Sequence, residues 1–453
     1  MAPNAYSAPL NQAIAERTLD AASPRWSLSL RVAFRFCFVY FGVYIVMTQM
    51  LTSLLFATTN DSGAFELDNM RPVQAMMVWT AAHVFHIGGK IVTFETGSGD
   101  RYYDWIELAW IASLAILATI IWSILDRKRR NYSRMHSWFR LFIRFSLAAT
   151  MLTYGAVKFI PLQMPFPGLG RLIEPYGNLS PMGVLWASIG ASPAYEIFAG
   201  CAELLGGILL IFPRTTAFGA FVCLADATQV FTLNMTYDVP VKLLSFHMIL
   251  LALFLLAFDA RRIANFFFMN RAAAPSTEAP LFRGLRANRI ALLAQIAFGI
   301  FLIGANLYGS VHELTTNPFF TSMKNKPPLY GIWDVQEFTL DGQSHPPLLT
   351  DAARWRRLVV SSSQGIVIQG MDDQSQFYFR ALDMAARTLV LTKSNDKNWK
   401  ASFSFTQPAA NDLVLDGSMD GHKIHARFSA FDLSKFTLLT RGFHWISEYP
   451  YNR

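Results

Sequence analysis

Charge is scarce in this chain. Of its 453 residues only 15% are Asp, Glu, Lys or Arg, while 53% are hydrophobic, whereas soluble domains carry about a quarter charged residues. That deficit excludes an ordinary water-soluble globule and points to lipid as the solvent. Cysteine is scarcer still: Cys37, Cys201 and Cys223 all lie in apolar segments and none belongs to a CxxC pair, so no disulfide framework is implied. No nucleophile–base pair, phosphate loop or complete metal-ligand set stands out. Gly97-Ser-Gly99 is too short for a nucleotide fingerprint, follows no strand-to-helix crossover, and reads as a tight turn. The net charge of +8 comes from basic residues at helix ends, such as Arg127-Lys128-Arg129-Arg130 and Arg261-Arg262. No basic face interleaved with aromatics appears, which excludes nucleic acid as a partner. The first 28 residues are polar and lack the pattern of a cleaved signal peptide, so the first apolar helix is expected to act as an uncleaved anchor.

What is present is a series of long apolar runs. A bilayer core about 30 Å thick needs roughly 20 apolar residues per helix, and about seven stretches meet that need: residues 32–56, 104–125, 140–161, 194–212, 215–235, 241–258 and 287–309. The stretch 72–94, with His83, His86 and Lys90, is too polar to span and reads as interfacial or re-entrant. Basic residues flank the first helix and fill the 126–140 and 259–289 loops. Because Lys and Arg resist translocation, these are expected to face the cytoplasm, leaving the C-terminal part outside.

Beyond the Pro-containing linker at 317–329 the pattern changes to short alternating runs. Strands are expected at 331–340, 355–361, 365–370, 376–382, 388–392, 401–405, 412–417, 423–428 and 436–441, with Asp341-Gly342 and Asp420-Gly421 as hairpin turns. The fold class is therefore a membrane all-α helical bundle followed by an antiparallel β-barrel, which closes such strands without leaving edges.

Three short features give the central helices a family likeness: Tyr154-Gly155-Ala156-Val157-Lys158-Phe159, Cys201-Ala202-Glu203-Leu204-Leu205-Gly206-Gly207, and the Pro213-Arg214 turn. On these, residues 136–259 resemble the DoxX/DoxD-like four-helix membrane proteins. The resemblance implies a bacterial inner-membrane protein linked to quinone-coupled or thiol redox chemistry, with quinone as the candidate cofactor. The C-terminal segment is similar to the lipocalin or calycin barrel through Gly331-Ile332-Trp333 and Arg441, which the resemblance would pack across that tryptophan. The expected organisation is a cytoplasmic tail at 1–30, two flanking helices at 31–135, the DoxX-like core at 136–259, a cytoplasmic linker at 260–286, a last helix at 287–309, a linker at 310–329 and the barrel at 330–453.

Ionisable groups inside lipid are costly and mark pathways or sites. Lys158, Glu203, Asp226 and His247 are the candidate catalytic set, converging on an outward-opening cavity if the four helices bundle. Tyr154, Glu196, Gln229, Asn234, Asp238 and Lys242 are candidate ligand-binding residues around it. His83 and His86 are spaced i, i+3, but metal sites want three or four ligands, and Glu95 and Asp100 are the only additions in view. The bland reading pairs Lys158 with Glu196 or Asp238 and uses Asp226 and His247 for interhelical hydrogen bonds. Three functions stay open: a redox component acting on a quinone or lipid substrate, a transporter or apolar-ligand handler using the barrel, and a scaffold of a membrane complex with a protein partner.

Overall fold

The computed structural model describes residues 25–57, 67, 70–273, 280–396 and 398–452. Most of the expected N-terminal tail, and the 274–279 part of the expected linker, lie outside the described residues. The helices are α1 Leu28–Met47, α2 Gln49–Phe56, α3 Arg71–His83, α4 Tyr102–Leu125, α5 Ser133–Phe159, α6 Leu169–Leu172, α7 Pro181–Gly190, α8 Pro193–Ile211, α9 Thr216–Thr236, α10 Lys242–Ala257, α11 Ala260–Phe267, α12 Leu285–Thr316, α13 Pro318–Lys324 and α14 Thr437–Thr440. Two compact units divide the chain: Met1–Ala156 with Ala199–Leu307, and Val157–Phe198 with Tyr308–Arg453.

The first unit is the helical bundle of a membrane protein. Among the described residues, five helices are long and apolar enough to cross a bilayer, namely α1, α4, α8, the α9 segment and α12; α10 with α11, bent by 82°, makes a sixth. The expected count of about seven included α5, which falls outside this criterion. Its 27 residues are long enough at about 1.5 Å each, but Arg134, Arg140, Arg144 and Lys158 lower its hydropathy. Arg140, Arg144 and Lys158 are buried, as are Ile143, Leu147, Ala148 and Met151 of the core, and intramembrane charge is tolerated in a bundle interior; Arg134 is exposed. The stretch at 72–94 yields only α3, thirteen residues long and too short to span. It lies on the start of α4, where Met77 and Ala81 meet Tyr103 and Ile106 and Trp110 Nε1–H donates to Thr80 Oγ1 at 2.9 Å.

The first expected span is also corrected, because it is two helices rather than one. α1 runs beside α5, with Arg35 at Tyr132 and Phe38 at Phe139. After Thr48, Gln49 meets Tyr154, but Leu54 and Leu55 share a groove with Leu141, Phe142 and Phe145. Since residues 141–145 lie two to four turns back along α5 from Tyr154, α2 doubles back into the bundle.

One end of the bundle is basic and tightly tied. Arg31 donates to the carbonyls of Arg127 and Arg129, while Arg35 donates to Tyr132 Oη, Ser123 Oγ and the Asp126 carbonyl. Arg140 and Asp259, both buried, pair at 2.9 Å, and Arg262 also holds Asp259. Trp26, Phe34, Tyr132, His136, Phe139, Phe254 and Phe258 stack into a continuous aromatic plug beside them.

The second unit is built on the barrel. Strands β1 Gly331–Leu340, β2 Gln343–Ser344, β3 Trp355–Val360, β4 Gly365–Gly370, β5 Ser375–Asp383, β6 Thr388–Thr392, β7 Lys400–Ala409, β8 Asp412–Met419 and β9 His422–Ala430 form one antiparallel meander. β1 pairs with both β3 and β9, so eight strands close on themselves, with β2 a short extension. Asp341-Gly342 and Asp420-Gly421 both take positive φ at their two positions, the backbone that two-residue hairpins require. The expected strand at 436–441 is instead a 3-10 turn at Leu433–Lys435 followed by α14. Arg441 accordingly does not pack across Trp333: its guanidinium lies 4.2 Å over the Tyr451 ring, while Trp333 Nε1–H donates to the Leu329 carbonyl.

Inside the barrel, Trp333, Phe338, Trp355, Tyr378, Phe403, Phe405 and Phe428 are buried in one cluster. An eight-stranded barrel is just wide enough for side chains to fill. Its outer face at β1, β3 and β4 is covered by Leu169 packed on Ile332 and Val359. Beside that contact runs an amphipathic groove of about 890 Å³ between residues 165–172 and α13.

The barrel should lose stability in acid through Asp351. His345 hydrogen-bonds its carboxylate at 2.6 Å, holding its pKa below the usual carboxylate value. A depressed carboxyl pKa adds stability above the unfolded value, near 4, that fades as pH falls through the folded one. Chemical denaturation between pH 7 and 3 should therefore show a falling midpoint, and Asp351→Asn should flatten that fall.

Candidate functional site

The site begins at the break after α1. Thr48 is extended (φ −109°, ψ 171°), and its N–H and hydroxyl both donate to the Tyr44 carbonyl, at 3.1 and 2.8 Å. Satisfying that carbonyl twice ends α1 and lets the chain reverse into α2. At membrane depth such irregular backbone is tolerated where it is buried in protein or lines a cavity. Gln49 opens α2, and its Oε1 accepts from Tyr154 Oη–H at 2.9 Å.

The 95–101 loop makes the second wall. Gly97 has φ +80°, giving the tight turn expected there. Gly99 N–H donates to the Pro240 carbonyl, and the Asp100 carboxylate accepts the N–H groups of Lys242 and Leu243 at 2.8 and 2.9 Å. Asp100 thus serves the orphan donors at the start of α10 from across the fold. Arg101 then closes a bidentate pair with Asp104 in the first turn of α4, at 2.7 and 3.0 Å, and donates to the Phe94 carbonyl.

Between these walls lies a cavity of about 270 Å³. Its polar lining includes Tyr44, Thr48, Gln49, Arg101, Glu107 and Tyr154, and Leu108, Ile111, Leu243 and Leu244 supply an apolar floor. Glu107 is 5% exposed. Behind Tyr44 stands His247, its ring stacked on the phenol at 3.7 Å and 9°. His247 Nδ1 is 2.7 Å from the Leu243 carbonyl, which can only accept; Nδ1 therefore carries a proton, and Nε2 is hydrogen-bonded to Tyr40 Oη at 2.9 Å. The imidazole is hydrogen-bonded at both nitrogens and fixes the Tyr44 ring from behind.

Of the sequence-derived candidates, Tyr154 lines this cavity. His247 supports its wall, and Lys242 borders it through Asp100 while pairing with Asp238 at 3.2 Å. Asn234 donates to Ser245 Oγ, tying α9 to α10, and Gln229 is exposed on α9. Glu203 and Asp226 lie elsewhere, both within electrostatic reach of Cys223. There Gly206 brings α8 so near α9 that a methyl group on it would stand 2.8 Å from Cys223 Sγ. In the second unit, buried Glu196 accepts the Met164 N–H at 2.9 Å and lies within electrostatic reach of Lys158. His83 Nδ1 is engaged by the Trp79 carbonyl. Among the described residues no group of three His, Cys, Asp or Glu could hold a metal.

Tyr44, Thr48, Gln49, Arg101, Asp104 and Glu107 were not among the candidates. Glu107 had a readable signal, being a carboxylate inside an apolar run, and so did the polar pair Thr48-Gln49. Tyr44 had none, since tyrosines are common in such helices.

No protein-family model matches the chain, and no solved structure matches it. Over 138 residues, covering 28% of this chain and 79% of the relative, it is 28% identical to the uncharacterized protein YwoB of Bacillus subtilis (strain 168). The chain is therefore a membrane protein with several apolar helices and a C-terminal eight-stranded barrel, distantly homologous to YwoB over part of its length.

Proposed function

We propose that the bundle is a quinone-linked redox component of the membrane, and that the cavity between α1, α4, α5 and α10 holds the ring of a quinol. The observation that carries this reading is the joint presence of one buried carboxylate, two phenols and an apolar floor in a space of about 270 Å³, enough for one substituted ring and little more. A quinol offers two hydroxyl donors. Glu107 is placed to accept one, and Tyr154, whose own proton is committed to Gln49, offers its oxygen to the other. The aromatic face of Tyr44, held by His247, suits stacking on the ring. A quinol hydroxyl is also a weak acid, and Glu107 is the buried carboxylate in the cavity lining that would take up its proton. The basic end faces the cytoplasm by the resistance of Lys and Arg to translocation, so the cavity opens outward. This agrees with what the DoxX resemblance implies.

The test is binding. Purified protein in mild detergent should bind a short-chain ubiquinol or menaquinol saturably at one site, and organic extracts of the native preparation should contain a quinone by mass spectrometry. Ile111→Trp, which fills the floor, should weaken binding at least about tenfold while the melting midpoint moves only slightly; overpacking a core costs roughly 1–3 kcal/mol. Wild-type protein that binds neither quinol nor quinone, or binding that Ile111→Trp leaves unchanged, overturns the reading.

A further inference from the structure

We propose that the groove on the outer face of the barrel binds a single acyl chain that ends in an anionic group, with that head at Lys326. The groove lies wholly within the second unit and encloses about 890 Å³, inside the roughly 300–1,000 Å³ of small-molecule sites. Three large apolar side chains in its lining stay open to solvent although they come from different elements: Phe319 of α13 is 41% exposed, Phe377 of β5 54% and Leu439 of α14 41%. Phe377 is seated by a glycine. A methyl group on Gly365 would stand 2.3 Å from its ring, so the bare backbone of β4 lets the ring lie against the barrel wall as groove lining.

The polar groups gather around one corner. Arg380 draws two segments together there, donating to the carbonyls of Pro328 and Ser363, both at 3.2 Å. β1 and β3 pair with Gly331 opposite Val360, which sets Tyr330 and Ser361, the next residues along the ladder, side by side. The Lys326 ammonium stands 5.3 Å from the centre of the Tyr330 ring. Lys326, Tyr330, Ser361 and Ser362 all line the groove, and no Asp or Glu does. Of the two cations in the lining, Arg171 is held by Glu174 at 2.6 Å. Lys326 is exposed and enters no ion pair among the described residues.

One ammonium with hydroxyls beside it answers a carboxylate or a phosphate monoester, and the phenylalanine and leucine walls answer the chain. An extended peptide is the poorer occupant, because adding a strand needs an open sheet edge and β4 is already paired on both sides, with β3 and β5. Lipid is also the amphiphile at hand: α13 follows α12, a helix long enough to cross a bilayer, after Asn317 alone. The site is separate from the ring-binding cavity and does not rest on the quinone reading.

The experiment is photolabelling of the full chain in phosphatidylcholine nanodiscs. Three probes share one diazirine-bearing palmityl chain and differ only in the head, which is a carboxylate, a phosphate monoester or an uncharged alcohol. Digestion and mass spectrometry then locate the label. An anionic probe should mark the peptides that carry Phe319 and Phe377, an excess of the unlabelled amphiphile should remove the mark, and the stronger of the two anionic probes names the head. The alcohol should mark these peptides about tenfold less, the order of loss expected when a hydrogen bond to a charged group is removed. Lys326→Gln should bring the anionic probes down to the level of the alcohol. Leu439→Glu, which sets an anion in the apolar wall, should lose the mark of all three. Circular dichroism melts show whether Leu439→Glu is folded; if it is not, Lys326→Gln, changed at an exposed position, decides the matter. Label that falls elsewhere or resists competition, equal marking by the alcohol, marking unchanged in Lys326→Gln or in folded Leu439→Glu, or marking lost as the protein dimerises at higher concentration would each overturn the inference.

Discussion

Asp259→Ala should be the most damaging single substitution at the basic end of the bundle, costing about 3–5 kcal/mol, the usual penalty for removing one partner of a buried ion pair. Arg140 and Asp259 each have side chains only 6% exposed. Removing the carboxylate leaves the Arg140 guanidinium in the protein interior without its countercharge, and Arg262 loses the same partner. The pair itself need not be strongly stabilising, since desolvation offsets most of its attraction. The joint variant Arg140→Met, Asp259→Leu should therefore recover most of what the single one loses. Thermal unfolding in detergent measures both; a single variant that melts within a degree or two of wild type would show that the pair is solvated.

Glu107→Leu should weaken quinol binding about ten- to a hundredfold, because a hydrogen bond to a charged group is worth about 1.5–3 kcal/mol and each 1.4 kcal/mol is tenfold. Leucine of similar bulk leaves the cavity's shape intact, which isolates the polar contribution. Glu107→Gln keeps an acceptor oxygen but cannot take up a proton; it should bind quinol within a few-fold of wild type and lose the pH dependence of that binding. If Leu and Gln behave alike in affinity and in pH profile, Glu107 does not contact the ring. A melt shift of several degrees in Leu alone would instead mark the carboxylate as a packing element.

Much of the barrel was legible because its rules are local. Asp341-Gly342 and Asp420-Gly421 adopt the positive φ values that their side chains tolerate, and alternation at Gly331–Leu340 fixes which residues turn inward. Residues 436–441 alternate in the same way yet form a short helix, since Phe436 and Leu433 are drawn onto the barrel's outer face beside Phe431. The bundle was legible as to its existence and less so in detail. The run 32–56 is apolar throughout, so hydropathy cannot see the reversal, which depends on Thr48 turning its hydroxyl to the Tyr44 carbonyl. Arg140 and Arg144 of α5 are buried among other helices, which the composition of one segment does not reveal. The candidate cavity needed relations across four segments distant in sequence. Asp100 reaching α10 and His247 reaching Tyr44 are contacts no periodicity encodes.

The aromatic plug at the basic end has a consequence for traffic. A carrier must expose its site alternately to two compartments, and each exchange would require Trp26, Phe34, Phe139 and Phe258 to part and the Arg140–Asp259 pair to be hydrated or broken. On the quinone-linked reading the bundle is a dead end for solutes, and proteoliposomes carrying the protein should show no flux above that of empty vesicles.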